Sequence, residues 1–304
     1  MSLCTCSAGG PRLLLRAAIL VVVGTVPWVL CPRLHAQVPA IKLDVVAAKG
    51  LQVSPTFDGW YRLGTTTYAL FGYYNRNLEE VVNAPIGPDN KVSPGPIDQG
   101  QPTRFFPGQH VGVFAVAVPQ ADSKTEVTWT LTANGYTFSI PAFLDPLYLI
   151  QPQREDAGPY PGNTPPTVKF DPSAPWAQGP LGTTVSRSAT VSQPLSLDVW
   201  VADDGLPPTA GGKGPAPALR GSPGNRARRL GLNVSWSVYR GPGEVRFSNP
   251  TPSVEGGRAL TTATFSTAGE YILRFLAQDS QSGNKCCWTN GYVKVAVQAA
   301  MPAR

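Results

Sequence analysis

Residues 231–280 decide the fold. The stretch begins GLNVSWSVYRGPGEVRFSNP at 231–250 and, after a short polar loop, ends LTTATFSTAGEYILRFLAQDS at 260–280. Two sets of apolar residues occur at every second position: Leu232, Val234, Trp236 and Val238, then Tyr271, Leu273, Phe275 and Ala277. Because successive strand side chains point to opposite faces, this period of two predicts half-buried strands with Trp236 inside the protein. Arg274 and Gln278 have the opposite parity and are predicted to face solvent.

Turn signals separate these strands. Gly241-Pro242-Gly243 and Ala268-Gly269 interrupt the alternation at hairpin spacing, as glycine and proline commonly do in turns. The stretch therefore predicts four successive strands of a small antiparallel sandwich.

Four segments together resemble the PKD-type immunoglobulin-like domain. They are Asn163-Thr164-Pro165-Pro166, LSLDVWVADDGLP at 195–207, W-S-x-x-x-G-P-G-x-V-x-F at 236–247 and TTATFSTAGEYILRFLAQD at 261–279. The resemblance implies a seven-stranded sandwich of the kind found in secreted and cell-surface proteins. We expect this domain at 168–298, with an irregular insertion at 205–229. Such a resemblance indicates a fold and leaves the activity open.

The preceding residues, 41–150, predict a smaller sandwich of six or seven strands. We expect strands at 41–48 and 78–82, a strand covered on both faces at 66–75 and a long ordered loop at 83–100. Asn134-Gly135 within TEVTWTLTANGYTFSI (125–140) predicts a type I′ hairpin. The proline-rich linker 151–167 favours an extended spacer. The FGYYNRN and TWTLTANG segments ahead of a PKD-like region are similar to uncharacterised exported bacterial proteins.

Residues 1–36 are typical of a cleaved signal peptide. Arg12 and Arg16 precede the apolar segment Ala17–Leu30, and Leu34-His35-Ala36 offers a cleavage site. The apolar segment is shorter than the ~20 residues that cross a bilayer, and no second segment of that length follows. A lipid anchor on Cys31 is the alternative, although bulky Leu30 precedes it. The sequence thus predicts a secreted or periplasmic protein with no transmembrane segment after signal removal.

Composition favours an all-β binding protein. Hydrophobic residues make up 42% of the 304 positions, which is enough for real cores, and no heptad pattern is present. The net charge of +6 falls to about +3 once Arg12, Arg16 and Arg33 leave with the signal, and so weak a charge argues against nucleic acid as a partner.

Catalytic motifs are not evident. His110 is the only histidine after the signal segment, and no G-x-S-x-G motif accompanies it. We therefore expect no enzymatic activity, but rather a non-catalytic binding or scaffolding module for a protein or polysaccharide of the cell envelope or exterior. The alternative is an extracellular glycan-acting hydrolase, with carboxylates in the 83–110 region near His110 or Asp98, or a carbohydrate-binding accessory protein.

Calcium is the best candidate for a cofactor. Asp203 and Asp204 end one predicted strand, Asp279 ends another, and Asn163 lies in the linker. Oxygen ligands of this kind suit Ca²⁺, which takes six to eight of them. The commoner origin of Asp-Asp-Gly is a plain turn in which the Asp side chains accept hydrogen bonds from backbone amides.

Two further features remain open. Cys286 and Cys287 are adjacent, so they form a vicinal disulfide, pair with another chain, or remain as reduced thiols. A vicinal disulfide would present Trp288 as a flat apolar platform for a sugar face or a partner. The alternation places Trp200 and Tyr239 outside the predicted core. They form either a binding surface for a partner or the contact between the two domains.

Overall fold

The computed structural model describes residues 47–118, 126–156, 160–206, 231–279 and 286–300. All of these described residues belong to one compact unit. The predicted signal peptide, residues 41–46 of the predicted first strand and residues 207–229 of the predicted insertion lie outside the described ranges. Residues 47 and 48 are not in a strand.

The described residues of the N-terminal half form eight strands. They are β1 (Val53–Leu63), β2 (Thr66–Asn75), β3 (Val82–Asn83), β4 (Asn90–Ser93), β5 (Arg104–Phe105), β6 (Gly108–Ala117), β7 (Thr128–Ala133) and β8 (Tyr136–Pro141). The order β1-β2-β6 forms one sheet and β4-β7-β8 another, while β3 pairs with β5. All of these pairings are antiparallel. A short 3₁₀ turn follows at Pro146–Tyr148.

The two sheets enclose an aromatic core. Trp129, Phe71 and Phe105 are fully buried there, and β2 is covered on both faces, as predicted. The hairpin between β7 and β8 also agrees with the prediction. Its central residues Asn134 and Gly135 have φ values of 50° and 79°, which is the positive pair that a type I′ turn requires.

The predicted loop at 83–100 contains a strand that sequence analysis missed. β4 holds a single buried apolar residue, Val92, and is instead fixed by the buried side chain of Asn90. That amide donates to the carbonyls of Ala84 and Pro102 and accepts from Nε1 of Trp129. The strand predicted at 78–82 is also wrong, since only Val82 of it belongs to a strand.

Ten strands are formed by the part of the C-terminal half that the structure describes. They are β9 (Thr167–Lys169), β10 (Ala177–Gln178), β11 (Thr183–Thr190), β12 (Leu195–Ala202), β13 (Asn233–Arg240), β14 (Val245–Phe247), β15 (Val254–Glu255), β16 (Arg258–Phe265), β17 (Gly269–Gln278) and β18 (Trp288–Gln298). One sheet has the order β10-β9-β12-β16-β14, with β15 also on β16, and the other has the order β11-β18-β17-β13. β11 runs parallel to β18.

This strand order is that of an immunoglobulin-type sandwich. The rows β9-β12-β16-β14 and β18-β17-β13 correspond to the two sheets of that fold. Trp236 and Tyr271 are buried between them. The all-β class, the immunoglobulin-like topology and the inward direction of Trp236 are therefore confirmed. Assignment to the PKD type stays a prediction.

The prediction that Arg274 faces solvent is wrong. Arg274 does point away from the C-terminal core, but it is only 5% exposed because the N-terminal half covers this face of the sheet. Its guanidinium donates to Asn290 Oδ1 and to the carbonyl oxygen of Gly112 in β6. The period of two correctly predicted that the Arg274 side chain points away from the C-terminal core. It did not predict that the N-terminal half, rather than solvent, lies on that side.

The linker is not extended. The backbone amide of Glu155 donates to the carbonyl oxygen of Asn163, and the amide of Gly162 donates to that of Glu155, both at 2.7 Å. Glu155 and Asn163 are buried. The linker thus doubles back on itself and packs into the protein. Within the described residues no helix has the length and apolar character needed to cross a membrane.

Candidate metal centre

The ends of two strands and the linker meet at one pole of the C-terminal sandwich. Asp203 and Asp204 directly follow β12, which belongs to one sheet, and Asp279 directly follows β17 of the other. One carboxylate oxygen from each of these three residues lies within 4.8 Å of the others. The amide Nδ2 of Asn163 approaches Oδ1 of Asp279 at 3.5 Å. The structure therefore brings together all four residues that the sequence singled out.

Part of this cluster is a turn. Oδ2 of Asp203 accepts from the amide of Gly205 at 3.0 Å, and Oδ1 of Asp204 accepts from the amide of Leu206 at 2.9 Å. Oδ2 of Asp204 accepts from both the amide and the hydroxyl of Thr164. The Asp-Asp-Gly sequence thus serves as a turn while it also presents carboxylates to the cluster.

Three oxygen atoms of the cluster are left without a donor. They are Oδ1 of Asn163, Oδ1 of Asp203 and Oδ2 of Asp279, and all three are buried. Asn163 and Asp279 are 0% and 1% exposed. A buried polar atom without a hydrogen bond costs free energy, and a bound cation would remove that cost. The donors are hard oxygens, which suit Ca²⁺, so these residues fit the metal.

The charges of the cluster also favour a bound cation. Burial, followed by the nearby Asp203 carboxylate, raises the pKa of Asp279 well above its usual range. Burial also raises the pKa of Asp203. Two carboxylic acids this close and this poorly hydrated do not both ionise without a compensating positive charge. Either a proton or a cation can supply that charge.

The adjacent cysteines contact residues of the cluster. Cys286 and Cys287 form a disulfide and both are buried. The Cys287 sulfur lies 3.4 Å from the carbonyl oxygen of Asn163, and the Cys287 carbonyl accepts from the amide of Asp279 at 3.4 Å. The disulfide segment therefore contacts two of the cluster residues, Asn163 and Asp279.

The three aromatic residues proposed as a binding surface have different places. Tyr239 and Trp288 are buried in the contact between the two halves, where Tyr239 joins the N-terminal core and Trp288 packs with Tyr61 and Leu70. Trp200 lies on the outer face of β12 and is partly exposed. The guanidinium carbon of Arg258 lies 5.1 Å from the centre of its ring. Of the three, only Trp200 offers part of its surface to a partner.

His110 and Asp98 have separate structural contacts. The His110 ring stacks on Tyr73 with 4.7 Å between ring centres, and its Nε2 lies 3.2 Å from the carbonyl oxygen of Pro107. Burial lowers the pKa of His110 to about 4. Asp98 forms a bidentate ion pair with Arg240 of the other half, with both N–O distances at 2.8 Å. These hydrogen bonds lower the pKa of Asp98.

Two further carboxylates have surroundings that the sequence did not indicate. Both oxygens of Glu155, on the linker arm that pairs with Asn163, are buried without a hydrogen-bond partner. Asp58 accepts from the amide of Gly112 at 2.8 Å and from the hydroxyl of Thr56 at 2.9 Å, and burial raises its pKa to about 6. An acidic residue inside the strand sequence FDGW was a usable signal for Asp58, whereas nothing in the linker composition marks Glu155.

Comparison with known proteins leaves the family open. No protein-family model matches this chain, and the search of curated proteins gives no match. A nucleoside hydrolase-related hypothetical protein from Saccharophagus degradans matches at 18% identity and TM-score 0.29, over 45% of this chain and 26% of that one. The tandem Ig repeats of Dlar match at 12% identity and TM-score 0.28, over 82% and 98%. The D00-D0 domain of intimin matches at 12% identity and TM-score 0.25, over 81% and 100%. Similarities at this level carry no argument, so the fold assignment rests on strand order.

Proposed function

We propose that this chain is an exported, non-catalytic binding or scaffolding module that acts at the cell envelope or outside the cell. The observation that carries the proposal is the polar contact between its halves. Arg274 and Asn290 reach from the C-terminal sheet to the carbonyl oxygen of Gly112, and Arg240 pairs with Asp98. Contacts of this kind hold two sandwiches in one orientation, which is the mechanical requirement of a scaffold.

The contacts of His110 also favour a non-catalytic role. Its ring is stacked on Tyr73 and held by the Pro107 carbonyl, and burial keeps it neutral at physiological pH. A general base needs access to the proton that it abstracts. His110 instead contributes to the packing of β2 against β6.

Calcium would tighten this scaffold. Its ligands would be Asn163 of the linker, Asp203 and Asp204 after β12, and Asp279 after β17. A cation bound there would neutralise the buried carboxylates and tie the linker to both sheets of the C-terminal sandwich. Because it would bind the folded state alone, it would raise the free energy of unfolding by about 2.7 kcal/mol at 100 times its Kd.

A melting experiment tests the metal. We expect Ca²⁺ to raise the Tm of the secreted protein, and Asp279→Asn to abolish that increase. Asp279→Asn should also stabilise the metal-free protein, because it removes one of two crowded carboxylates. Asp198→Asn is the matched control, since Asp198 lies on the outer face of β12 and pairs with Arg258. A wild-type Tm that does not respond to Ca²⁺ would eliminate the metal.

A sedimentation experiment tests whether the protein binds the cell envelope or a polysaccharide without acting on it as an enzyme. The secreted protein is mixed with cell-envelope fragments and with insoluble polysaccharides, and the bound fraction is measured after centrifugation. We expect binding without release of soluble sugars. Release of reducing sugars would instead establish the hydrolase alternative, and absence of binding to every fraction would contradict the proposed function.

A further inference from the structure

A cleft opens beside strand β1. Its volume is about 520 Å³, within the range of sites that hold small molecules. It lies between the end of β1 and the chain at 149–156. The lining residues that matter here are Trp60, Arg62, Leu149, Gln151, Gln153 and Arg154.

The backbone fixes the shape of this cleft. Trp60 pairs with Leu149, and its carbonyl oxygen accepts from the amide of Ile150 at 2.9 Å. Nε1 of Trp60 donates to the carbonyl oxygen of Asp145 at 2.8 Å. Gly59 permits this close approach, because a Cβ there would lie 2.6 Å from Cγ2 of Ile150. The apolar wall is therefore preformed.

Cationic side chains line the rim. Arg62 is exposed, and its guanidinium carbon lies 5.9 Å from the centre of the Trp60 ring. Among the described residues no carboxylate pairs with Arg62. Arg154 forms an exposed ion pair with Asp156 at 3.4 Å, which contributes little because water competes for both groups. These three charged residues together leave a net positive charge at the cleft.

A flat aromatic surface adjoins the cleft. The rings of Phe143 and Tyr148 stack with 5.6 Å between their centres and 29° between their planes, and they are 47% and 46% exposed. Phe57 supports both rings from below, at 6.1 and 5.7 Å. Leu149, which follows Tyr148, continues this surface into the wall of the cleft. We call Phe143 and Tyr148 the aromatic platform.

We propose that this face binds an acidic polysaccharide. The carboxylate of a uronic acid unit would meet Arg62 and Arg154, because guanidinium groups recognise carboxylates through paired hydrogen bonds. The amides of Gln151 and Gln153 suit sugar hydroxyls, and the C–H face of a neighbouring sugar would pack on the aromatic platform. A peptide of Asp and Glu could satisfy the arginines, but it has no C–H face of a sugar ring to pack on the platform. This inference rests on the proposed function and names its partner.

The test uses calorimetry of the secreted protein with trigalacturonate as the probe. Maltotriose serves as the neutral sugar, and triglutamate as the acidic peptide. We expect measurable binding of trigalacturonate alone, weakened by 0.5 M salt. Arg62→Gln and Arg154→Gln should each lower the affinity about tenfold, as loss of a charged hydrogen bond does. Tyr148→Ala should lower it several-fold, while Arg246→Gln, on exposed β14 of the other half, should leave it unchanged.

Four results would overturn the inference. They are equal binding of maltotriose, equal or stronger binding of triglutamate, wild-type affinity in both arginine variants, and absence of trigalacturonate binding. If the protein still sediments with envelope fragments in that case, the proposed function survives and only the partner is wrong. If it sediments with nothing, the proposed function fails as well.

Discussion

Two partly buried titratable side chains, Asp58 on β1 and His110 on β6, respond to pH in opposite directions. Burial lowers the pKa of His110 to about 4, below the value of about 6.5 in an unfolded chain. The folded protein therefore binds fewer protons, and the stability that neutral His110 contributes is lost as the pH falls from about 6.5 to 4. That loss amounts to about 3 kcal/mol. Asp58, whose pKa burial raises to about 6, contributes stability at low pH and loses it as the pH rises through 6.

Single variants should separate these effects. We expect His110→Gln to keep about 3 kcal/mol more of its neutral-pH stability at pH 4 than the wild type does. Asp58→Asn should show the reverse, a larger loss on acidification, because the carboxyl that favours the folded state at low pH is gone. Urea denaturation at several pH values measures both. Parallel curves for all three proteins would show that neither burial is as deep as the structure indicates.

For single residues, the sequence predicted the environment correctly where the direction of the side chain alone determines it. Period-two alternation placed Trp236 inside, and residue type together with strand ends found Asp203, Asp204, Asp279 and Asn163. It failed for Arg274, because an outward side chain meets either water or another part of the same chain. An arginine satisfies its donors in both places, so its presence does not distinguish them.

Among the strands, β6 carries the feature on which the contact between the halves depends. Its pairing with β2 shifts register between Phe71 and Tyr73, and such irregularities re-aim the residues beside them. Gly112 lies there with φ +60°. Its amide donates to Asp58 of the N-terminal half, and its carbonyl oxygen accepts from Arg274 and Asn290 of the C-terminal half. The backbone of this one residue is therefore hydrogen-bonded to both halves.

Gly112→Ala tests this arrangement. The new Cβ would lie 2.4 Å from Cζ2 of Trp288, so we expect a loss of about 3 kcal/mol from overpacking and backbone strain together. Gly256→Ala is the matched control, because Gly256 has φ +56° and nothing within 4 Å of its Cβ position. The control should lose about 1 kcal/mol. Equal losses in urea denaturation would mean that the contact with Trp288 is unimportant.

A strand could be predicted from the sequence where the residues that specify it are close together in the chain. Asn134-Gly135 specifies its hairpin by its own backbone preference, and the long alternations of β13 and β17 specify theirs. β4 has no such signal, because the partners of Asn90 lie six or more residues away, up to Trp129. The folded-back linker was missed for a related reason. Proline content indicates that an isolated segment 151–167 would be extended. In the folded protein, packing against both halves determines its conformation instead.

At the scale of the whole molecule, the two sandwiches share a covered face that behaves as an additional core. It contains a buried guanidinium, the buried amide of Asn290 and the aromatic rings of Tyr239 and Tyr292, whose hydroxyls donate to the carbonyl oxygens of Gly100 and Val113. Polar groups buried in this way favour one arrangement over others, because each has a single set of partners. We therefore expect the halves to unfold together.

Arg274→Met should uncouple them. The substitution keeps most of the side-chain volume but leaves Oδ1 of Asn290 without either of its guanidinium donors, which costs about 3 kcal/mol when the acceptor stays buried. Because that cost falls on the contact between the halves, we expect calorimetry to resolve two transitions in place of one. Arg258→Met is the control, since Arg258 pairs with Asp198 at the surface and should lose at most about 1 kcal/mol while it keeps a single transition. A single transition in Arg274→Met with no greater loss than in the control would show that the halves are joined by apolar contacts alone.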